Sequence, residues 1–168
     1  MITKACKECE LWKEKDLLYA IGSVKQKKLS LLWLVYGDCY AASSEVYLKM
    51  RNNIISGIEQ TAGVEFSSTK ELGRVNKVDP LGITNLRIRG MWQIEHPEKV
   101  YQYLMPEQFE CDFRLVVLMR EAKYQSFLED RTRLESINNP KLQNQQVKIK
   151  SPDNPIKRVA ARLITFQT

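Results

Sequence analysis

Leu29-Ser30-Leu31-Leu32-Trp33-Leu34-Val35-Tyr36 is apolar at nearly every position. A strand with one wet face would alternate; a run that is apolar on both faces predicts a central strand covered on both sides. Gly37-Asp38 breaks the run, and Ser43 or Ser44 can cap a following helix by accepting hydrogen bonds from the free N–H groups of its first turn. Val46, Met50, Ile54, Ile58 and Ala62 then recur every four residues, one buried stripe of a helix that Gly63 stops.

Working outward, Val64 to Val78 suggests an edge strand with a long loop, and Asp79-Pro80-Leu81-Gly82 is a turn by composition. Leu86, Ile88, Trp92 and Ile94 alternate with Arg87, Arg89, Met91 and Gln93, the period of two of a half-buried strand. His96-Pro97-Glu98 starts a helix, with Val100, Tyr101, Leu104 and Met105 inward, and Phe113 to Met119 forms another apolar strand. Strand, helix, strand, strand, helix, strand is the order of a ferredoxin-like βαββαβ core in an α+β fold. Before it, Cys9 to Ile21 suggests a short helix, and Lys25-Gln26-Lys27-Lys28 a polar turn. After it come a helix from Tyr124 to Leu134 and a β extension, Val147 to Lys150 and Ile156 to Phe166, the latter a hairpin arm or a strand and short helix.

The 168 residues are enough for one buried core, and 43% apolar with 27% charged is ordinary globular composition. No apolar stretch approaches the roughly 20 residues a membrane-spanning helix needs, and no secretory signal is visible, so an intracellular, reducing location is expected. Charge divides the chain. Residues 1–135 carry a net +1, and residues 136–168 carry +5, from Lys141, Lys148, Lys150, Lys157, Arg158 and Arg162 against Asp153. This predicts a core domain, 1–135, and a basic extension, 136–168, packing on it or extending from it. Clustered cations bind polyanions by releasing counterions, so a nucleic-acid partner is expected.

In a ferredoxin-like sheet the helices cover one face, and Arg87, Arg89 and Arg114 would project from the other. That is the face on which RNA-recognition modules bind single strands, although those modules place aromatic residues there for stacking. Cys6-Lys7-Glu8-Cys9 has a spacing that can grip zinc. In this topology the first and fourth core strands are antiparallel neighbours, so Cys39 and Cys111 should lie together and could complete a four-cysteine structural zinc site. His96 is the single histidine and reads as a helix-start residue. No phosphate-loop, dinucleotide-binding or nucleophile-elbow motif occurs.

Glu121-Ala122-Lys123 follows the apolar run Leu115 to Met119, with Asp112 upstream. This resembles the D…(D/E)-x-K signature of magnesium-dependent restriction-type nucleases. The resemblance implies that Asp112 and Glu121 hold the metal while Lys123 polarises the attacking water or stabilises the charge developing on the phosphate. Asp79 could replace Asp112 only in a different fold. The leading expectation is a non-catalytic nucleic-acid-binding protein, RNA-associated and part of a nucleoprotein assembly. The alternatives are a metal-dependent nuclease of the PD-(D/E)xK kind and a scaffold subunit that docks other proteins.

Overall fold

The computed structural model describes residues 17–60, 73–89, 94–105 and 111–168. The chain divides into two compact units, Met1–Glu10 with Ser43–Gln93 and Leu11–Ala42 with Ile94–Thr168. No described helix is long and apolar enough to cross a membrane.

The larger unit is built on a five-stranded sheet. Its first two strands, β1 (Leu18–Lys25) and β2 (Lys28–Tyr36), form an antiparallel hairpin with Lys25 opposite Lys28. Gln26 and Lys27 between them both have positive φ, 48° and 64°. That is the type I′ turn, whose twist matches the strands it joins. The expected helix over 9–21 is therefore a strand where it is described: Leu18 to Ile21 belong to β1, paired to β2, and residues 9–16 lie outside the described residues.

A short helix, α1 (Gly37–Tyr40), ends β2, and α2 (Ser44–Glu59) begins the smaller unit. Pro97–Val100 (α3) and a 3-10 turn over Gln102–Leu104 return the chain to the larger unit. Strand β5 (Arg114–Arg120) then pairs with β2 in parallel, Trp33 facing Val116 and Val35 facing Leu118. Two further helices, α4 (Glu121–Ser126) and α5 (Leu128–Glu135), precede β6 (Leu142–Lys150) and β7 (Arg158–Gln167), an antiparallel hairpin. The sheet order is β1-β2-β5-β7-β6, with β5 antiparallel to β7. Residues 136–168, set apart by charge, thus supply two of the five strands.

Alternation along these strands divides the core. One face gathers Trp33, Val35, Val116, Leu118, Ile149, Ala161 and Leu163, with Cys39 and Tyr101 against them. The other gathers Met119 and Ile164 under Tyr124, with Phe127 and Leu134 packed alongside. Side chains such as Leu118 and Ile149, fully buried, each contribute about 1.5–3 kcal/mol on leaving water. Tyr101 ties the first layer: its ring stacks on Trp33 at 6.0 Å, and its hydroxyl donates to the Cys39 carbonyl at 2.5 Å.

In the smaller unit, β3 (Gly73–Val75) and β4 (Leu86–Ile88) form their own two-stranded sheet. The ferredoxin-like arrangement is therefore corrected on three counts. Its second and third strands are not in the main sheet, its first and last are parallel to one another, and the C-terminal hairpin enters the sheet beside β5. The proposed edge strand over 64–78 shrinks to Gly73–Val75, with 64–72 outside the described residues. Helix α2 forms where its apolar period predicts, but Val46, Met50 and Ile54 are 46%, 52% and 39% exposed, not a buried stripe. Ser43 is its N-cap residue without a side-chain capping bond.

Candidate nucleic-acid interface

Asp38, Arg120, Glu121, Lys123 and Ser126 line an open cavity beyond the carboxyl ends of the parallel strands β2 and β5. Parallel neighbours release their chain ends on the same side, which is where open sheets present ligands. Here Glu121 is tied to its polar neighbours. Both oxygens of Glu121 accept from Arg162 of β7, Oε1 from Nη2 at 2.7 Å and Oε2 from Nε at 3.1 Å, and Gln125 adds a bond to Oε1 at 2.6 Å. The Arg162 guanidinium lies 4.4 Å from the centre of the Tyr124 ring. The Tyr124 hydroxyl donates to Glu135 at 2.9 Å and accepts from Asn144 at 2.7 Å. Arg162 beside Glu121 holds that carboxyl below the usual glutamate range, and the carboxylate raises the guanidinium in return. Arg120 Nε donates to the Asp38 carbonyl at 3.0 Å, closing the end of β2 onto β5.

The fold does not bring Asp112 and Glu121 together. They stand at opposite ends of β5, whose six steps span roughly 20 Å at about 3.3 Å per residue, far beyond shared coordination of one magnesium ion. Asp79 belongs to the smaller unit, where its carboxylate accepts from the backbone N–H groups of Leu81, Ile83 and Thr84. Among the described residues, no group of three or more His, Cys, Asp and Glu could hold a metal ion. The donor set at Glu121-Ala122-Lys123 therefore does not fit magnesium, because an arginine already takes both of the carboxylate's oxygens.

The zinc expectation fails for a related reason. Because β2 and β5 are parallel, Cys39 follows the end of one and Cys111 precedes the start of the other, at opposite ends of the pair. Burial, with Asp38 adding, pushes the Cys39 thiol well above its ordinary range. Cys6 and Cys9 lie outside the described residues. His96 caps α3: its Nδ1 accepts from the Glu98 N–H at 3.3 Å, leaving Nε2 to face Ser23 Oγ at 3.4 Å. One ring nitrogen thus serves the helix start and the other faces β1.

Exposed cations are distributed differently from expectation. Arg87 and Arg89 are exposed but belong to the two-stranded ribbon and its flank, so they do not fan across the main sheet. The central strands of that sheet are covered on both sides by apolar clusters. Arg114 lies at the start of β5, 3.5 Å from Gln167 Oε1. Of the basic residues near the C-terminus, Lys141, Lys148, Lys150, Lys157 and Arg158 are exposed, Arg158 lying 5.7 Å from the Tyr103 ring, while Arg162 is bound to Glu121. Two groups escaped the sequence reading. Lys25, Lys27 and Lys28 crown the β1–β2 turn, signalled by a Lys-Gln-Lys-Lys turn between apolar runs. Arg74 faces Arg87 across the β3–β4 ribbon, a pairing that counting outward from the Asp79-Pro80 turn could have found.

The type II restriction enzyme NgoPII of Neisseria gonorrhoeae is 46% identical over 167 residues, which cover 99% of this chain and 60% of that relative. No solved structure matches. The family model of the NgoPII restriction endonuclease matches residues 1–150. These similarities overturn the expectation of a non-catalytic RNA-associated protein and favour the nuclease alternative. By the extent of that match, the chain belongs to the NgoPII restriction endonuclease family.

Proposed function

We propose that this chain serves magnesium-dependent cleavage of duplex DNA at a recognition sequence, a reading supported by its similarity to a protein described as a type II restriction enzyme. The observation that carries this reading is the family match over residues 1–150. The exposed lysines and arginines of both units agree with it, because a duplex is a dense polyanion whose counterions such groups release. Partner and compartment follow from the same reading: DNA rather than RNA, inside the cell that makes the protein. Since the chain spans 60% of that relative's length, catalysis is proposed for the activity the chain serves and is not assigned to Asp112, Glu121 and Lys123. Their geometry supports a structural role for Glu121, while Lys123 is half-buried at the same cavity, its ammonium 4.9 Å from the Phe127 ring.

The test compares binding of the chain to mixed-sequence duplex DNA and to single-stranded RNA over a range of salt, with magnesium added to score cleavage. Duplex binding that falls steeply with salt, with no preference for RNA, is expected. Tighter binding to RNA, or no duplex binding at low salt, sinks the reading.

A further inference from the structure

Strand register sets the end of the β6–β7 hairpin apart from the rest of its sheet. Arg120, the last residue of β5, faces Ala161, while β7 begins at Arg158. The hairpin therefore runs past the end of β5 by the length of Arg158 to Ala160, roughly 10 Å at about 3.3 Å per residue, with residues 151–157 at its tip. Ala160 lines the same cavity as Lys123, so this arm stands beside the carboxyl ends of β2 and β5.

Alternation gives each residue of the arm a face. Ile149 is fully buried and Val147 and Val159 pack with it, which turns Lys148 and Lys150 to the opposite face. Lys148 is directly across from Ala160, and Lys150 from Arg158. Over residues 148–158 stand Lys148, Lys150, Lys157 and Arg158 against Asp153. Arg158 is held over the Tyr103 ring at 5.7 Å, a contact that leaves its charge in place. Lys148, Lys150 and Lys157 are exposed, and no acidic side chain of the described residues is ion-paired to them. Cations directly opposite one another repel and weaken a ribbon, and a polyanion lying against it converts that repulsion into attraction.

The tip is a built turn. Ser151 N–H donates to the Lys157 carbonyl at 2.9 Å, Lys157 N–H to the Asn154 carbonyl at 3.0 Å, and Ile156 N–H to Asn154 Oδ1 at 3.1 Å. Pro152 and Pro155 fix two of its φ angles. Ile156 is nonetheless 90% exposed, so the side chain at the end of the arm stands in water. A preordered arm gives up little conformational freedom on binding.

We propose that the β6–β7 arm seats duplex DNA beside the cavity, with Lys148, Lys150 and Lys157 neutralising backbone phosphates. Contacts of this kind fix where a protein sits on a duplex without reading its sequence. The proposal rests on the duplex-DNA reading above and names the surface that makes contact. It also divides the C-terminal cations, since Lys141 precedes the far end of β6 and Arg162 is held by Glu121.

Two triple variants of the full chain, equal in charge, test it on mixed-sequence duplex DNA. Lys148→Gln/Lys150→Gln/Lys157→Gln changes exposed side chains only, so the fold survives. It should bind at least about tenfold more weakly at low salt, and flatten the plot of log affinity against log salt by about 0.9 for each phosphate no longer neutralised. Lys25→Gln/Lys27→Gln/Lys28→Gln removes the same charge from the opposite end of the sheet. That variant should keep the slope, and its affinity should stay within about threefold of the original, because salt screens charges remote from the contact. If the unsubstituted chain binds duplex DNA and the arm variant matches it, or the two variants weaken alike, the arm proposal falls alone. If the unsubstituted chain does not bind, the duplex-DNA reading falls and takes the arm with it.

Discussion

Replacing Glu121 with alanine should cost stability, and the size of the loss can be worked from the ion pair it breaks. The Glu121 and Arg162 side chains are only 15% and 17% exposed, and both carboxylate oxygens are used. A charge-assisted hydrogen bond contributes about 1.5–3 kcal/mol, and stranding one member of a buried pair costs about 3–5 kcal/mol. Water can still reach this pair in part, so about 2–3 kcal/mol is expected. For a chain of this length about 2–4 °C of melting temperature accompanies each kcal/mol, giving a drop of roughly 4–12 °C by circular dichroism. Arg162→Met in the Glu121→Ala background removes the stranded charge and should recover part of the loss, a coupling that a double-mutant cycle reads directly. The pH dependence has a definite sign. Arg162 lowers the folded pKa of Glu121, so the contribution is complete above the ordinary glutamate value of about 4.3 and disappears as pH falls through the folded value. The gap between the unsubstituted chain and Glu121→Gln should close over that acid range. A Glu121→Ala protein that melts within about 1 °C of the original at neutral pH would refute the structural role and return this carboxylate to the candidates for metal chemistry.

Gln26→Asn with Lys27→Gly suits the positive φ values of the β1–β2 turn and should stabilise by about 1 kcal/mol, seen as a melting temperature about 2–4 °C higher; a decrease would contradict the turn assignment. Buried Cys39, its thiol pushed up by burial, should resist iodoacetamide at pH near 8 (about the ordinary thiol range) until the chain unfolds, while half-buried Cys111 reacts; peptide mapping that finds equal labelling would contradict the packing of Cys39 against β5. Asp79→Ala should release the amides of Leu81, Ile83 and Thr84 to faster hydrogen exchange; unchanged exchange at all three would show that the carboxylate is not the clamp.

Local chemistry was readable wherever one segment determined its own conformation. The apolar run from Leu29, the helix after Ser43, the proline-led start of α3 at His96 and the strand ending at Arg120 form where their patterns place them. Leu18 to Ile21 lies in β1 and not in a helix because Leu17, Leu18 and Ile21 fit a helical period as well as a strand, and pairing with β2 decides between them. Leu86 to Ile88 was recognised as extended, yet its partner is the three-residue strand Gly73–Val75 and not the main sheet. Partner choice is a property of the whole fold, and alternation within one strand carries no record of it.

Strand direction had the larger consequence for the site. With β2 and β5 antiparallel, Cys39 and Cys111 would meet, as the zinc reading required. Parallel pairing separates those cysteines and instead brings Asp38, at the end of β2, to the same cavity as Glu121, at the end of β5. A parallel pair demands a long crossover, and here the crossover from Tyr36 to Arg114 contains residues 43–93 of the smaller unit. That insertion carries the β3–β4 hairpin with its opposed arginines and exposed leucine and isoleucine. The excess of cations near the C-terminus, which first suggested a polyanion partner, belongs largely to strands that complete the sheet.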